Sequence, residues 1–158
     1  MPLRFAVYFN SLIAEIHKKN MSYKYLEHST DAFIEVKAKT LEEAFLVAGK
    51  SVVETIIDLK NIQEIEEKSV KVKGINLLNL LYNWLEEIVT ITITDGFAIK
   101  NFSVNIEKND GYEIISKISG EKLDLKKHNF KIEIKSPTFH LMEIKENDEI
   151  TMQYLLDL

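Results

Sequence analysis

The chain has 158 residues, 46% hydrophobic and 28% charged, which suits one folded domain with a core of its own and excludes a disordered chain. It has no cysteine, which removes thiolate catalysis, zinc–thiolate sites and disulfides and fits an intracellular, cytoplasmic protein. A formal net charge of -5 excludes the broad cationic surface of a dedicated RNA binder, and no stretch is long and apolar enough to span a bilayer.

Phe5, Phe9, Leu12, Ile13 and Ile16 recur at helical spacing, so residues 1–20 are expected to form an extra amphipathic helix ahead of a single domain over 21–158. A secretory signal does not fit, because Asn10 and Glu15 interrupt the apolar part and no small-x-small cleavage site follows. A helix docked on the domain, a partner-binding helix, and an upstream start with Met21 as the functional one all remain open.

From Asp31 the chain alternates. Ala32, Ile34, Val36 and Ala38 face one way and Asp31, Phe33, Glu35 and Lys37 the other, as in a half-buried strand. Thr40-Leu41-Glu42-Glu43 then reads as a capping box, and Leu41, Ala44, Phe45, Ala48, Val52 and Ile56 predict a helix over about 41–57. Val70 and Val72, set between lysines, predict a short strand. Leu77, Leu80, Leu81, Trp84, Leu85 and Ile88 share one face of a second helix over about 76–91.

Beyond Gly96 the period changes to two. Phe102, Val104 and Ile106 alternate, Asn109-Asp110-Gly111 supplies a hairpin turn, and Tyr112, Ile114, Ser116 and Ile118 continue the pattern. A polar loop around Gly120–His128 leads to an expected strand carrying Phe130, Ile132 and Ile134, broken by Pro137. Further strands follow at about 138–145 and at Ile150, Met152, Tyr154 and Leu156. The order predicts an α+β fold, with two helices packed on a mainly antiparallel sheet.

Strand parity places Asp31 and Asp157 on the less apolar faces of the first and last of these strands. If those strands lie close, the two carboxylates can share a hard divalent cation, with Leu158 adding a backbone carbonyl or its terminal carboxylate, and with Glu27 and His28 nearby. From spacing alone, Asp31 fits equally well as a turn-former or solvated charge, and Asp157 as a frayed end. Lys117, Lys122, Lys126, Lys127, Lys131 and Lys135 make a locally basic region, and Glu143, Glu146, Asp148, Glu149 and Asp157 an acidic one. Each reads as a solvated face or as half of a docking surface. There is no Gly-rich phosphate loop, zinc-type His spacing or nucleophile elbow.

Several of these segments together resemble the archease family. Glu27-His28-Ser29-Thr30-Asp31 is similar to its Glu-His-Thr-Ala-Asp signature, and Lys39–Phe45 to the helix start that follows it. Leu77–Ile88 resembles its second helix, and His128–Lys135 followed by Thr138–Met142 its late Lys-x-x-Thr-Tyr-His segment. Leu156-Asp157-Leu158 resembles its terminal Phe-Asp-Ile. Ala32-Phe33 stands where the family has Ile-Gly, and Pro137 where it has a β-branched residue. The resemblance implies a non-enzymatic protein cofactor that promotes guanylylation of the tRNA-splicing RNA ligase. It also implies a divalent ion, often calcium, held by the residues matching Asp31, Asp157 and Leu158. RNA would be met only indirectly. A chaperone-like interaction module for a tRNA-modifying enzyme and a metal-dependent hydrolase are the alternative readings.

Overall fold

A strand hairpin opens the fold: β1 (Ser22–Leu26) pairs antiparallel with β2 (Asp31–Ala38) in the computed structural model, which describes residues 21–27 and 31–158. The expected helix over 1–20 lies outside the described residues, as do His28, Ser29 and Thr30. Helix α1 (Leu41–Ile56), strand β3 (Glu66–Gly74) and helix α2 (Leu77–Val89) follow, and then β4 (Phe97–Lys108), β5 (Tyr112–Lys122), β6 (Ser136–Glu146) and β7 (Ile150–Asp157). The α+β class holds. The strands divide between two antiparallel sheets, in the orders β1-β2-β7-β6 and β3-β5-β4. Helix α1 touches β1, β2 and β7 on one side and β4 on the other, while α2 touches β6 on one side and β3 and β5 on the other. The two helices therefore form a layer between the sheets.

Helix α1 starts as its sequence dictates. The Thr40 hydroxyl accepts from Glu43 N at 3.2 Å, and the Glu43 carboxylate accepts from Lys39 N at 3.2 Å, one residue ahead of the cap itself. Apolar residues then occupy nearly every face, and Phe45, Ala48, Val52, Val53 and Ile56 are all fully buried. Full burial of an aliphatic or aromatic side chain of this size is worth about 1.5–3 kcal/mol. Trp84 of α2 lies over Gly49, where an added Cβ would stand 3.1 Å from its ring, and its indole N–H donates to Phe45 O at 2.8 Å.

Polar residues on this buried helix need partners, and the first sheet supplies them through tyrosines. Tyr23 donates to Glu54, the Tyr25 and Thr55 hydroxyls meet at 2.7 Å, and those of Tyr154 and Ser51 meet at 2.6 Å. Burial pushes all three phenols above their ordinary pKa, so they stay protonated.

Helix α2 begins at its Asn76 cap, whose side chain accepts from Asn79 N at 2.8 Å. It runs on as a π-turn through Thr90–Thr94, five β-branched residues in succession, and ends with Asp95 N bonded to Thr90 O.

The expected strand at Phe130, Ile132 and Ile134 is absent. Its alternation partly survives, with Ile134 buried and Phe130 exposed, but its backbone bonds go elsewhere. Lys131 N donates to Ile56 O at 2.8 Å, and Lys131 Nζ reaches Glu54 O at 2.9 Å and Asp58 at 3.0 Å. The last turn of α1 has no basic residue of its own, so this loop serves its exposed carbonyls. Pro137 does not break a strand either. It is buried within β6 opposite Leu156, on the edge strand of the first sheet, where a missing N–H is tolerated.

A polar latch anchors the start of the same loop. His128 is wholly buried, and its Nδ1 accepts from Asp124 N at 3.0 Å, which leaves Nε2 to donate to Glu121 at 2.7 Å. Lys127 Nζ reaches the same Glu121 oxygen at 2.7 Å. Lys127 and His128 hold the Glu121 carboxyl down at about 2, against an ordinary value of 4.5.

The Ser51 hydroxyl also donates to Ala48 O at 2.7 Å, so its proton is committed and Tyr154 is the donor across the seam. Ser51→Ala strands a buried phenol and should cost about 1–3 kcal/mol in urea unfolding, whereas Tyr154→Phe leaves Ser51 satisfied and should cost about 1 kcal/mol or less. Equal losses would remove the assignment of Tyr154 as the donor. For the latch, a carboxyl with a depressed pKa stabilises the fold above its unfolded value and loses that contribution as pH falls through the folded one. Glu121→Gln should therefore be less stable than the parent at neutral pH, with the gap narrowing between pH 4.5 and about 2. A gap independent of pH would sink the assignment.

Candidate functional site

The site is set by strand register. In the β2–β7 pair the register runs without a slip from Asp31 opposite Asp157 to Ala38 opposite Ile150. The two acids, far apart in sequence, are direct cross-strand neighbours. Residues so placed in an antiparallel pair have Cβ atoms about 4.5–5.5 Å apart. On β7's other side Asp157 is opposite Ser136 of β6, and its carbonyl accepts from Lys135 N at 2.8 Å. One end of the first sheet thus presents Asp31, Asp157 and Ser136 in a row, with half-buried Leu158 next in the chain.

The faces fall as parity requires. Ala32, Ile34, Val36 and Ala38 of β2 and Ile150, Met152, Tyr154 and Leu156 of β7 are buried towards the helices. The aspartates share the opposite face, where both are partly exposed. That face is more apolar than alternation implies, because Leu155, opposite Phe33, is also buried.

The Phe33–Leu155 pair separates the aspartates from the next acid on the face, Glu35. Burial raises the Glu35 pKa, but a hydrogen bond from Gln153 at 2.7 Å and Lys24 at 3.2 Å outweigh it and bring the carboxyl below its ordinary value. Glu35 is therefore already compensated.

Among the described residues no group of three His, Cys, Asp or Glu side chains stands ready to hold a metal. The candidate donors are two carboxylates and whatever oxygen Leu158 contributes. This is a hard, all-oxygen set that suits calcium- or magnesium-like ions and not zinc. Oxygens bound to one calcium lie about 2.3–2.6 Å from it, so carboxylates on adjacent strands are within reach of a shared ion. Glu27 is exposed just beyond β1.

Half of the lysines in the basic region are ion-paired: Lys117, Lys127 and Lys131 meet Glu67, Glu121 and Asp58 respectively, while Lys122, Lys126 and Lys135 are exposed. On the acidic side Glu143 pairs with Lys145 and Glu149 with Lys37. The latch residues Glu121 and His128 were not singled out by the sequence, where they lie seven residues apart in a polar loop. They form an acid–base pair in outline, but both are buried and committed to holding that loop.

Comparison with known proteins covers the same stretch of chain. Residues 23–158 match the family described as Archease protein family (MTH1598/TM1083). The chain is 37% identical to a Protein archease of Pyrococcus abyssi over 125 residues, 78% of this chain and 88% of that one. It is 34% identical to a Protein archease of Pyrobaculum islandicum over 143 residues, 89% of this chain and 97% of that one. Its fold is similar to the solution structure of Methanobacterium thermoautotrophicum Protein 1598, with a TM-score of 0.74 and 31% identity over 86% of this chain and 98% of that one. Sequence and fold agree over the whole described domain, and the chain belongs to the archease family.

Proposed function

We propose that this chain is a protein cofactor of the tRNA-splicing RNA ligase, which promotes the ligase's guanylylation through a divalent cation, calcium first, held by Asp31, Asp157 and an oxygen of Leu158. Family membership supports the general role. The observation that carries the site is the direct opposition of Asp31 and Asp157 across β2 and β7.

Like charges placed opposite each other across a strand pair repel. A cation bound between the two carboxylates would offset that repulsion. When bound, the ion would supply positive charge and open coordination positions for phosphate oxygens, the requirement at a phosphoryl-transfer centre. The protein's part is to hold the two carboxylates and Leu158 on a stiff frame and to present that end to the ligase's reactive histidine. The sequence carries no nucleophile elbow, and its net charge of -5 leaves RNA contact to the ligase.

Asp31→Ala and Asp157→Ala should each abolish the acceleration of ligase guanylylation while retaining the parent's circular dichroism. Normal stimulation by both variants would overturn the mechanism. Calcium binding has its own readout. Calcium should raise the melting temperature of the parent, and Asp157→Asn should remove that rise. In chelator the same variant should be at least as stable as the parent, by up to about 1 kcal/mol, because the like-charge pair is gone. A calcium response that survives Asp157→Asn would place the ion elsewhere.

A further inference from the structure

Strand β6 is regular opposite Asp157 and then loses step with its neighbour. Thr138 stands opposite Leu155 and Glu143 opposite Gln153, so residues 139–142 share the single position facing Tyr154. The bulge turns Phe139, His140 and Leu141 outward, with Phe139 53% and Leu141 49% exposed. Leu141 adopts φ 59, a left-handed conformation that is costly for a residue with a side chain. The apex is nonetheless ordered by its own contacts. Phe139 stacks on Tyr82 of α2 with ring centroids 4.4 Å apart and planes at 10°, and His140 N donates to the Thr138 hydroxyl at 2.9 Å. One helical turn before Tyr82, Leu78 is 40% exposed beside a cleft of about 300 Å³ that also takes in Met142.

A bulge, like the Pro137 and Lys145 that β6 also carries, is an ordinary way to blunt a sheet edge, but edge protection does not require two large apolar side chains about half exposed at its apex. We infer that the β6 bulge is the apolar anchor by which this chain grips the ligase, with Phe139 and Leu141 seated in an apolar socket rimmed by basic side chains. The inference rests on the proposed function and adds the docking surface to it.

Two observations choose that occupant. The first is distance. Ser136 stands opposite Asp157, and Phe139 is three residues further along the same strand, about 10 Å. A standard interface covers about 800 Å² on each partner, a disc of roughly 16 Å radius. Phe139 lies towards α2 while the aspartates face away from the helices, so a protein that engages the Asp31–Asp157 end and wraps the β6 edge meets the bulge. The second is charge. The apex lies between Asp31 and Asp157 on one side and Glu143 and Glu146, which line the cleft, on the other. Lys135 and Lys145 offset these only in part, and Lys145 is already paired with Glu143 at 3.5 Å. An acidic surround with an apolar centre complements the basic surface an enzyme keeps around an RNA site.

The test titrates ligase guanylylation against the full chain, the double variant Phe139→Ser with Leu141→Ser, and Leu141→Asp alone, which leaves the Tyr82 stack in place. Melting curves confirm that each is folded. Both variants should raise the concentration for half-maximal acceleration by about tenfold or more, as expected for loss of anchor residues, while reaching the parent's maximal rate at saturation. Asp157→Ala should show the reverse, giving no acceleration itself while competing with the parent for the ligase at the parent's half-maximal concentration. Unchanged half-maximal concentrations for both bulge variants, with the parent active, overturn the anchor and leave the proposed function standing. A parent that gives no acceleration removes both. Sedimentation showing parent dimers that either bulge variant dissolves would assign the patch to a second copy and also overturn the inference.

Discussion

The burial of α1 on all sides is the constraint from which the rest of the structure follows. A helix covered by a sheet on each side has no water to satisfy Ser51, Glu54 and Thr55, none of which is more than 6% exposed. An unpaired buried polar group costs more than a made hydrogen bond returns, so each needs a partner in a defined place. Tyr154, Tyr23 and Tyr25 provide them, and β7 and β1 are thereby fixed along the helix as well as against it. The same requirement at the end of α1 draws Lys131 onto its last carbonyls and makes a loop of a segment whose alternation suits a strand.

That anchoring sets the register on which the candidate site depends. In a strand with one buried face, a slip of a single residue exchanges the two faces. Slipping β7 against β2 would turn Met152, Tyr154 and Leu156 away from the helices and break the Tyr154–Ser51 bond. It would also move Asp157 away from Asp31. The repulsion between two carboxylates is small beside the burial of three large side chains, so the core imposes the acidic pair. The facing of the two aspartates is thus set by packing that lies elsewhere in the fold.

How much of this the sequence discloses depends on whether a signal is local. The Thr40–Glu43 cap, the α1 and α2 stripes and the Asn109–Gly111 turn are local, and they appear at nearly the expected residues. Parity gave the facing of Asp31 and Asp157 but could not bring them together, since pairing is a property of two distant strands. The resemblance to archease supplied that link, and the observed register is compatible with it. Strand β1 has no clear signal in the sequence because its inward residues are tyrosines, whose partners Glu54 and Thr55 are visible only in three dimensions. The strand expected at 130–134 failed because no alternation reveals that another element's carbonyls will claim its donors. The His128–Glu121 latch is hidden for a similar reason, since a histidine in a polar loop looks exposed until the loop folds back over it.

The β6 bulge joins these lines. Tyr154, the residue opposite it, is held by Ser51 and cannot move along the helix to match a longer partner strand. Extra length in β6 can therefore be accommodated only on the β6 side. The chain remains in step at Ser136–Asp157 and again at Glu143–Gln153, and the surplus residues between them rise from the sheet. One buried hydroxyl contact thus helps to fix two surface features at once. It holds the strand that carries Asp157 in register with Asp31, and it forces the apolar apex outward a short distance along the neighbouring strand. The spacing between the acidic pair and the apex is then a property of the core, unchanged when either surface is altered alone.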